Sequence, residues 1–233
     1  MITGGGDLIC VKRDLIEEIQ ESQDARFLIE VFRNGSEEEC EAACEKLAKL
    51  PITAYQHLIN ARLDQNDNIR KWVVLVFGKT EDTYFLPCLA HMVDDSCPSV
   101  SETVHQVLQN MLNSILSDKN RAANSYDAVV LKAALFTMLS SGCEAARETA
   151  YGFMQEFLSE EMLVKEMTEC LSNAKGEAIE RIKPFYGRAI RDLRLSQNGF
   201  IETDKKVLFD KGFVGRRSPT AQAPKKGRKN FAN

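Results

Sequence analysis

The chain is poor in the features that carry most recognisable chemistry. Among its 233 residues are three histidines and one tryptophan. It contains no G-x-S-x-G, no G-x-x-x-x-G-K-[ST] and no H-E-x-x-H, which removes the nucleophile elbow, the phosphate loop and the paired-histidine zinc site. Gly4-Gly5-Gly6 precedes no strand–helix unit and does not replace a phosphate loop. No C-x-x-C pair occurs, and neither Cys40/Cys44 nor Cys88/His91/Cys97 supplies four ligands at the short paired spacings of structural zinc. No catalytic residue, metal site or cofactor is therefore expected. Carboxylates such as Glu37-Glu38-Glu39 read more simply as helix-start charges that the macrodipole favours.

Long apolar runs are also missing. No uncharged apolar stretch exceeds about ten residues, against the roughly 20 needed to span a bilayer, so no membrane partner is expected. The opening Met1–Asp7 lacks a basic, then apolar, then small-residue order, and Ile2 stands where myristoylation needs glycine; neither a secretory leader nor N-myristoylation is expected. Strand signals are nearly absent, since the β-branched Val73-Val74 falls inside a helical pattern beside Arg70 and Lys71. Seven scattered cysteines make an odd count that does not suit a secreted disulfide framework. They read as reduced thiols acting as small hydrophobes in a nuclear or cytoplasmic protein.

Charge is unevenly placed. From Lys211 to Asn233 there are seven basic residues and no acidic one. Subtracting that +7 from the overall −4 leaves the preceding residues at −11. An acidic body does not suit general phosphate-backbone binding, and only the tail has that character.

Repetition is what the chain does have. Segments beginning at Cys40, Ile69, Val100 and Ala146 place apolar side chains at i, i+4, i+7 and i+8: Cys40/Cys44/Leu47/Ala48, Ile69/Val73/Val76/Phe77, Val100/Val104/Val107/Leu108 and Ala146/Ala150/Phe153/Met154. That is the stripe of a helix buried along one face. Offsets of 29, 31 and 46 residues predict stacked helix pairs with one longer insertion. A helix is expected over Leu8–Glu21 and another over Asp24–Phe32, stopped by Asn34-Gly35. Ser36 with Glu39 forms a capping-box pattern that opens a helix to Lys49, and Pro51 breaks it. Further pairs are predicted at Thr53–Leu63 with Asn68–Phe77, Asp82–Met92 with Ser99–Leu116, and Tyr126–Leu139 with Cys143–Leu158. Helices over Glu160–Leu171 and Gly176–Leu195 follow, the last bent at Pro184. The domain is placed at 8–198, with 199–233 a mostly disordered basic tail.

Phe85-Leu86-Pro87-Cys88-Leu89-Ala90-His91-Met92-Val93-Asp94 resembles the first helix of a HEAT repeat, with a proline amid leucines and a closing aspartate. Asp67-Asn68-Ile69-Arg70 resembles the turn and opening of the second helix, and Ala146-Arg147 repeats its apolar–arginine step. Val100-Ser101 and Cys40-Glu41 keep the apolar residue without the arginine. The resemblance, to the HEAT-repeat (armadillo-like) family, covers roughly Asp24 to Leu158 and extends more loosely to Leu195. It implies an all-α, right-handed α-solenoid of about five helical pairs, serving as a non-catalytic protein-binding scaffold or adaptor. Arg70 and Arg147 would then bridge repeats and pair with a turn aspartate, Asp64, Asp67, Asp94 or Asp95.

The positions that the stripes leave free are Lys71 and Val74, Glu102 and His105, and Glu148 and Tyr151, with Trp72 beside them. Aligned along stacked second helices, Lys71, Trp72, Glu102, His105, Glu148 and Tyr151 form the expected strip for a protein partner, since aromatic anchors dominate many interfaces. In the tail, Arg216, Arg217, Lys225, Lys226, Arg228 and Lys229 resemble a bipartite nuclear-import signal with a short spacer, interrupted by the Ser218-Pro219 phosphorylation pattern. The alternative function is a nucleic-acid-associated factor whose tail makes weak phosphate contacts.

Overall fold

The computed structural model describes residues 15–117 and 125–197. It is all-α, with no strand among those residues. The first helix, α1, is described over 15–21. Then come α2 (Ala25–Asn34), α3 (Glu37–Ala48), α4 (Tyr55–Ala61), α5 (Asp67–Thr80), α6 (Leu86–Met92) and α7 (Pro98–Ser117). The chain continues through α8 (Ser125–Ser140), α9 (Glu144–Phe157), α10 (Glu160–Asn173) and α11 (Glu177–Gln197). Short 3-10 turns at Ile52–Ala54 and Thr83–Phe85 lead into α4 and α6.

Local chemistry sets most helix starts. Ser36 and Glu39 form the expected capping box: the Glu39 amide donates to Ser36 Oγ, and the Ser36 amide donates to Glu39 Oε2 at 2.6 Å. The side chains of Asp24, Asn66 and Ser159 accept first-turn amides of α2, α5 and α10, satisfying donors that no helical carbonyl reaches. Pro87 lies in the first turn of α6, where its missing N–H costs nothing. Pro184 sits inside α11 without ending it.

Helices pack as α2 with α3, α4 with α5, α6 with α7, α8 with α9, and α10 with α11. Between pairs, α3 meets α5, α5 meets α7 and α7 meets α9, while α2 meets α4 and α6 meets α8. The last pair departs from this order, because α11 lies against α8. Every stripe residue read from the sequence is buried except Ala48, which is half-buried. Burying each such side chain stabilises the fold by about 1.5–3 kcal/mol for Val, Leu, Ile, Phe or Met, so the stripes are the core.

Polar ties lock neighbouring pairs. Arg70 donates from Nε and Nη2 to the two oxygens of Asp95, both at 2.8 Å, and from Nη1 to the carbonyls of Asp64 and Gln65. This arginine therefore bridges pairs, as the sequence implied. Arg147 instead donates to the Ser141 and Gly142 carbonyls at 2.7 and 2.8 Å. Asp94 reaches the same turn by accepting the Gly142 and Cys143 amides, each at 2.8 Å. Arg33 contacts Asp64 at 3.4 Å, Tyr55 donates its hydroxyl to Asp82 at 3.0 Å, and Thr83 donates to Asp127. The tail residues Arg216, Arg217, Lys225, Lys226, Arg228 and Lys229 lie outside the described residues, as do Cys10, Met1–Gly6 and most of the Ser117–Ser125 insertion.

Candidate protein-docking face

Along α3, Glu37, Glu41 and Glu45 recur every four residues, and along α5 so do Lys71, Leu75 and Lys79. That spacing sets each triplet on one face of its helix. Packing of α3 against α5 turns the two faces toward one another across a groove. Its first part, about 530 Å³, is lined by Glu37, Cys40, Glu41, Lys71, Trp72 and Leu75 among others. Leu75 and Lys79 carry it into a second part of about 650 Å³, bounded by Glu45 and Ala48 on α3 with Lys49 just beyond it, by Glu81 after α5, and by Val107, Asn110, Met111 and Ser114 on α7. In the first part Glu37 and Glu41 face Lys71; in the second Glu45 and Lys49 lie on one side, Lys79 and Glu81 at the end of α5, and neutral Asn110 and Ser114 on the other, over a floor of Trp72, Leu75, Val107 and Met111. Lys79 and Glu45 approach to 3.4 Å across it; both are largely exposed, so the pair holds little energy of its own.

Trp72 is half-buried because its indole stacks on Phe32, with ring centroids 5.7 Å apart and planes 14° from parallel. An aromatic pinned in this way offers one edge to the groove at little further entropic cost. Gly78 sets the approach of α5 to α7, since a Cβ there would stand 3.0 Å from Val107 Cγ1.

The remaining strip positions do not join this face. Glu102 is exposed on α7. His105 is half-buried, with Nε2 3.0 Å from Cys143 Sγ. Val74, grouped with the free positions, is fully buried. Tyr151 requires the clearest correction: it is 2% exposed and cannot anchor a partner. Its ring packs at 5.3 Å on Phe185 of α11 and its hydroxyl reaches Asp192 at 3.4 Å. Burial, together with the Asp192 charge, raises its proton affinity far above that of an ordinary phenol. Glu148 is held by Arg188 through two bonds of 2.8 and 2.7 Å, and Arg188 also lies over the Phe185 and Tyr151 rings. Helix α11 therefore occupies the face of α9 that the strip required.

The sequence reading missed Leu75, Lys79, Glu41, Glu45 and Met111. The four-residue spacing of the Glu and Lys triplets was the available signal, hidden because Glu37-Glu38-Glu39 is also an ordinary helix start. Thiols are free at Cys40, Cys44, Cys88, Cys97, Cys143 and Cys170. Burial pushes Cys44 and Cys170 up to about 12. Among the described residues no group of three or more His, Cys, Asp or Glu side chains is placed to hold a metal ion, and no helix is long and apolar enough to cross a membrane. No model of a known protein family matches the chain, and no curated protein matches it.

Proposed function

We propose that the chain is a HEAT-like α-solenoid acting as a non-catalytic scaffold or adaptor, with a protein partner docked in the groove across α3, α5 and α7. The observation that carries this reading is a pair of adjoining clefts that share Leu75 and Lys79, with an apolar floor and charges of both signs along their sides. A partner suited to it presents apolar side chains flanked by charges of both signs, as an amphipathic segment does. The mixed walls do not suit a polyanion, which favours a protein over nucleic acid. In support of the solenoid, second helices α3, α5, α7 and α9 pack in chain order and arginine and aspartate tie neighbouring pairs. Free thiols suit the reducing nucleus or cytoplasm, and the same proposal places the protein there.

Photo-crosslinking in the native cell tests this, with the crosslinker placed at Lys79 in the groove or at Ile52, which is 70% exposed and outside it. The expected result is a discrete adduct from Lys79 that Leu75→Glu abolishes and that Ile52 does not give. Equal adducts from both positions, or an adduct indifferent to Leu75→Glu in a folded variant, would overturn the docking face.

A further inference from the structure

The turn between α8 and α9 brings together two groups that lie 38 residues apart in sequence. Cys143 caps the start of α9, and its Sγ stands 3.0 Å from Nε2 of His105 on α7. We propose that Cys143 is a covalent modification site, a thiol with His105 as its base, which takes hydroperoxides.

The other described thiols lack this arrangement. Cys40, Cys44 and Cys170 are buried, and burial raises the proton affinity of half-buried Cys88. Cys97 Sγ faces the carboxylate of Asp67 and the hydroxyl of Ser99, both at 3.3 Å, and neither is a base suited to a thiol proton at neutral pH. Cys143, like Cys88 and Cys97, is half-buried rather than enclosed in the core. Burial lowers the proton affinity of His105, with the Asp94 charge opposing in part. The imidazole is therefore neutral near pH 7, and its Nδ1-protonated tautomer presents the Nε2 lone pair to the S–H. The charge that bears on His105 is Asp94 after α6, while Glu102 lies three residues before it on α7 and Glu144 and Arg147 follow Cys143 on α9. Asp94 is engaged with the Gly142 and Cys143 amides and Arg147 with the Ser141 and Gly142 carbonyls, so imidazole is the group that touches the sulfur.

The step balances without a cofactor. The Cys143 proton passes to His105 Nε2, and the thiolate sulfur attacks the terminal peroxide oxygen. The O–O bond breaks, and the departing hydroxide or alkoxide takes the proton back from His105 as water or alcohol. Sulfur is oxidised from thiol to sulfenic acid while the peroxide is reduced. The new oxygen then lies at the joint between α7 and α9, where the Cys143 amide is bonded to Asp94.

The test follows each cysteine of the full chain by peptide mass spectrometry during a time course with hydrogen peroxide and a sulfenic-acid trap, and separately with iodoacetamide. Cys143 is expected to react first among the six described cysteines, about tenfold ahead of Cys97 at pH 7. His105→Gln should slow Cys143 about tenfold and leave Cys97 unchanged. Cys97 or Cys88 outrunning Cys143, or a folded His105→Gln variant with an unchanged Cys143 rate, would overturn the assignment. If His105→Gln does not fold, the unmodified chain decides. Cys143 reacting no faster than Cys97 and Cys88 there refutes the pairing.

Discussion

Helices α5 and α9 carry the same apolar spacing, yet the sides left over from that spacing meet different environments. On α5 the leftover side, Lys71, Trp72, Leu75 and Lys79, lines an open groove shared with α3 and α7. On α9 the corresponding side, Glu148 and Tyr151, lies under Phe185, Arg188 and Asp192 of α11. A helix's own periodicity states which side must be buried first. Whether a later helix covers the opposite side depends on distant chain, and here the α8–α11 contact settles it.

The severest way to break the comparison is to damage what both regions share. Val73→Asp or Val104→Asp places an unpaired charge at a fully buried position, at a cost of several kcal/mol, on the order of a domain's whole stability. Circular dichroism melting should show either variant unfolded or strongly destabilised. An unchanged melt would mean these stripes are not core.

The next contrast is direct. Tyr151→Ala should cost about 3–5 kcal/mol, as large-to-small changes do in a packed core, without a direct effect on docking. Trp72→Ala should cost clearly less stability, because the indole is half-exposed, while weakening the Lys79 crosslink. Urea midpoints for the two variants measure this. Equal losses would erase the distinction between covered and open faces.

A smaller effect sharpens the joint beneath the groove. The side chains of Arg70 and Asp95 are 12% and 9% exposed, and Asp95→Asn should cost about 2–3 kcal/mol at neutral pH. Hydrogen bonding from Arg70 holds the Asp95 carboxyl below the usual carboxylate range. A depressed folded value means the stabilisation is complete above the unfolded carboxyl's pKa, about 4, and is lost as pH falls through the lower folded value. The acid limb of stability against pH should therefore be shallower in Asp95→Asn, as read from urea midpoints between about pH 2 and 6. An unaltered limb would show that the ion pair contributes nothing.

The smallest expected effect is on the fold when the basic end is removed. A chain ending at Val214 should melt unchanged and keep the Lys79 crosslink, while its adsorption to heparin or DNA weakens and depends less on salt. Loss of the crosslink would move docking from the groove to the residues around Arg216–Lys229.

The all-α class, the capping box at Ser36 and the stripe positions were legible because each depends on residues within one or two helical turns. The Arg70 bridge was legible in kind, through the resemblance, although four aspartates were equally open to it. Tyr151 was misassigned because aromatic character at a position outside the stripe is equally compatible with an anchor and with a second buried side. The Cys143–His105 contact and the groove floor of Leu75 with Met111 join separate helices, and spacing within one helix carries no record of such meetings. The charge triplets Glu37/Glu41/Glu45 and Lys71/Leu75/Lys79 were readable but ambiguous, since solvated helix faces show the same spacing.

The ties between successive pairs repeat some chemistries but not their places: Arg70 bridges Asp95 at two points whereas Arg33 touches Asp64 at one, Tyr55 and Tyr151 each meet an aspartate, Thr83 donates to Asp127, and Asp94 accepts two amides. The two-point Arg70–Asp95 bridge and the Asp94 carboxylate on two amides act as keys, each fitting its own joint. Duplicating, deleting or exchanging a pair would set an arginine against a missing aspartate, or a carboxylate against a closed turn. The order of the units is thereby written into the molecule, and engineering a longer or shorter version would begin with rebuilding a joint rather than copying a helix.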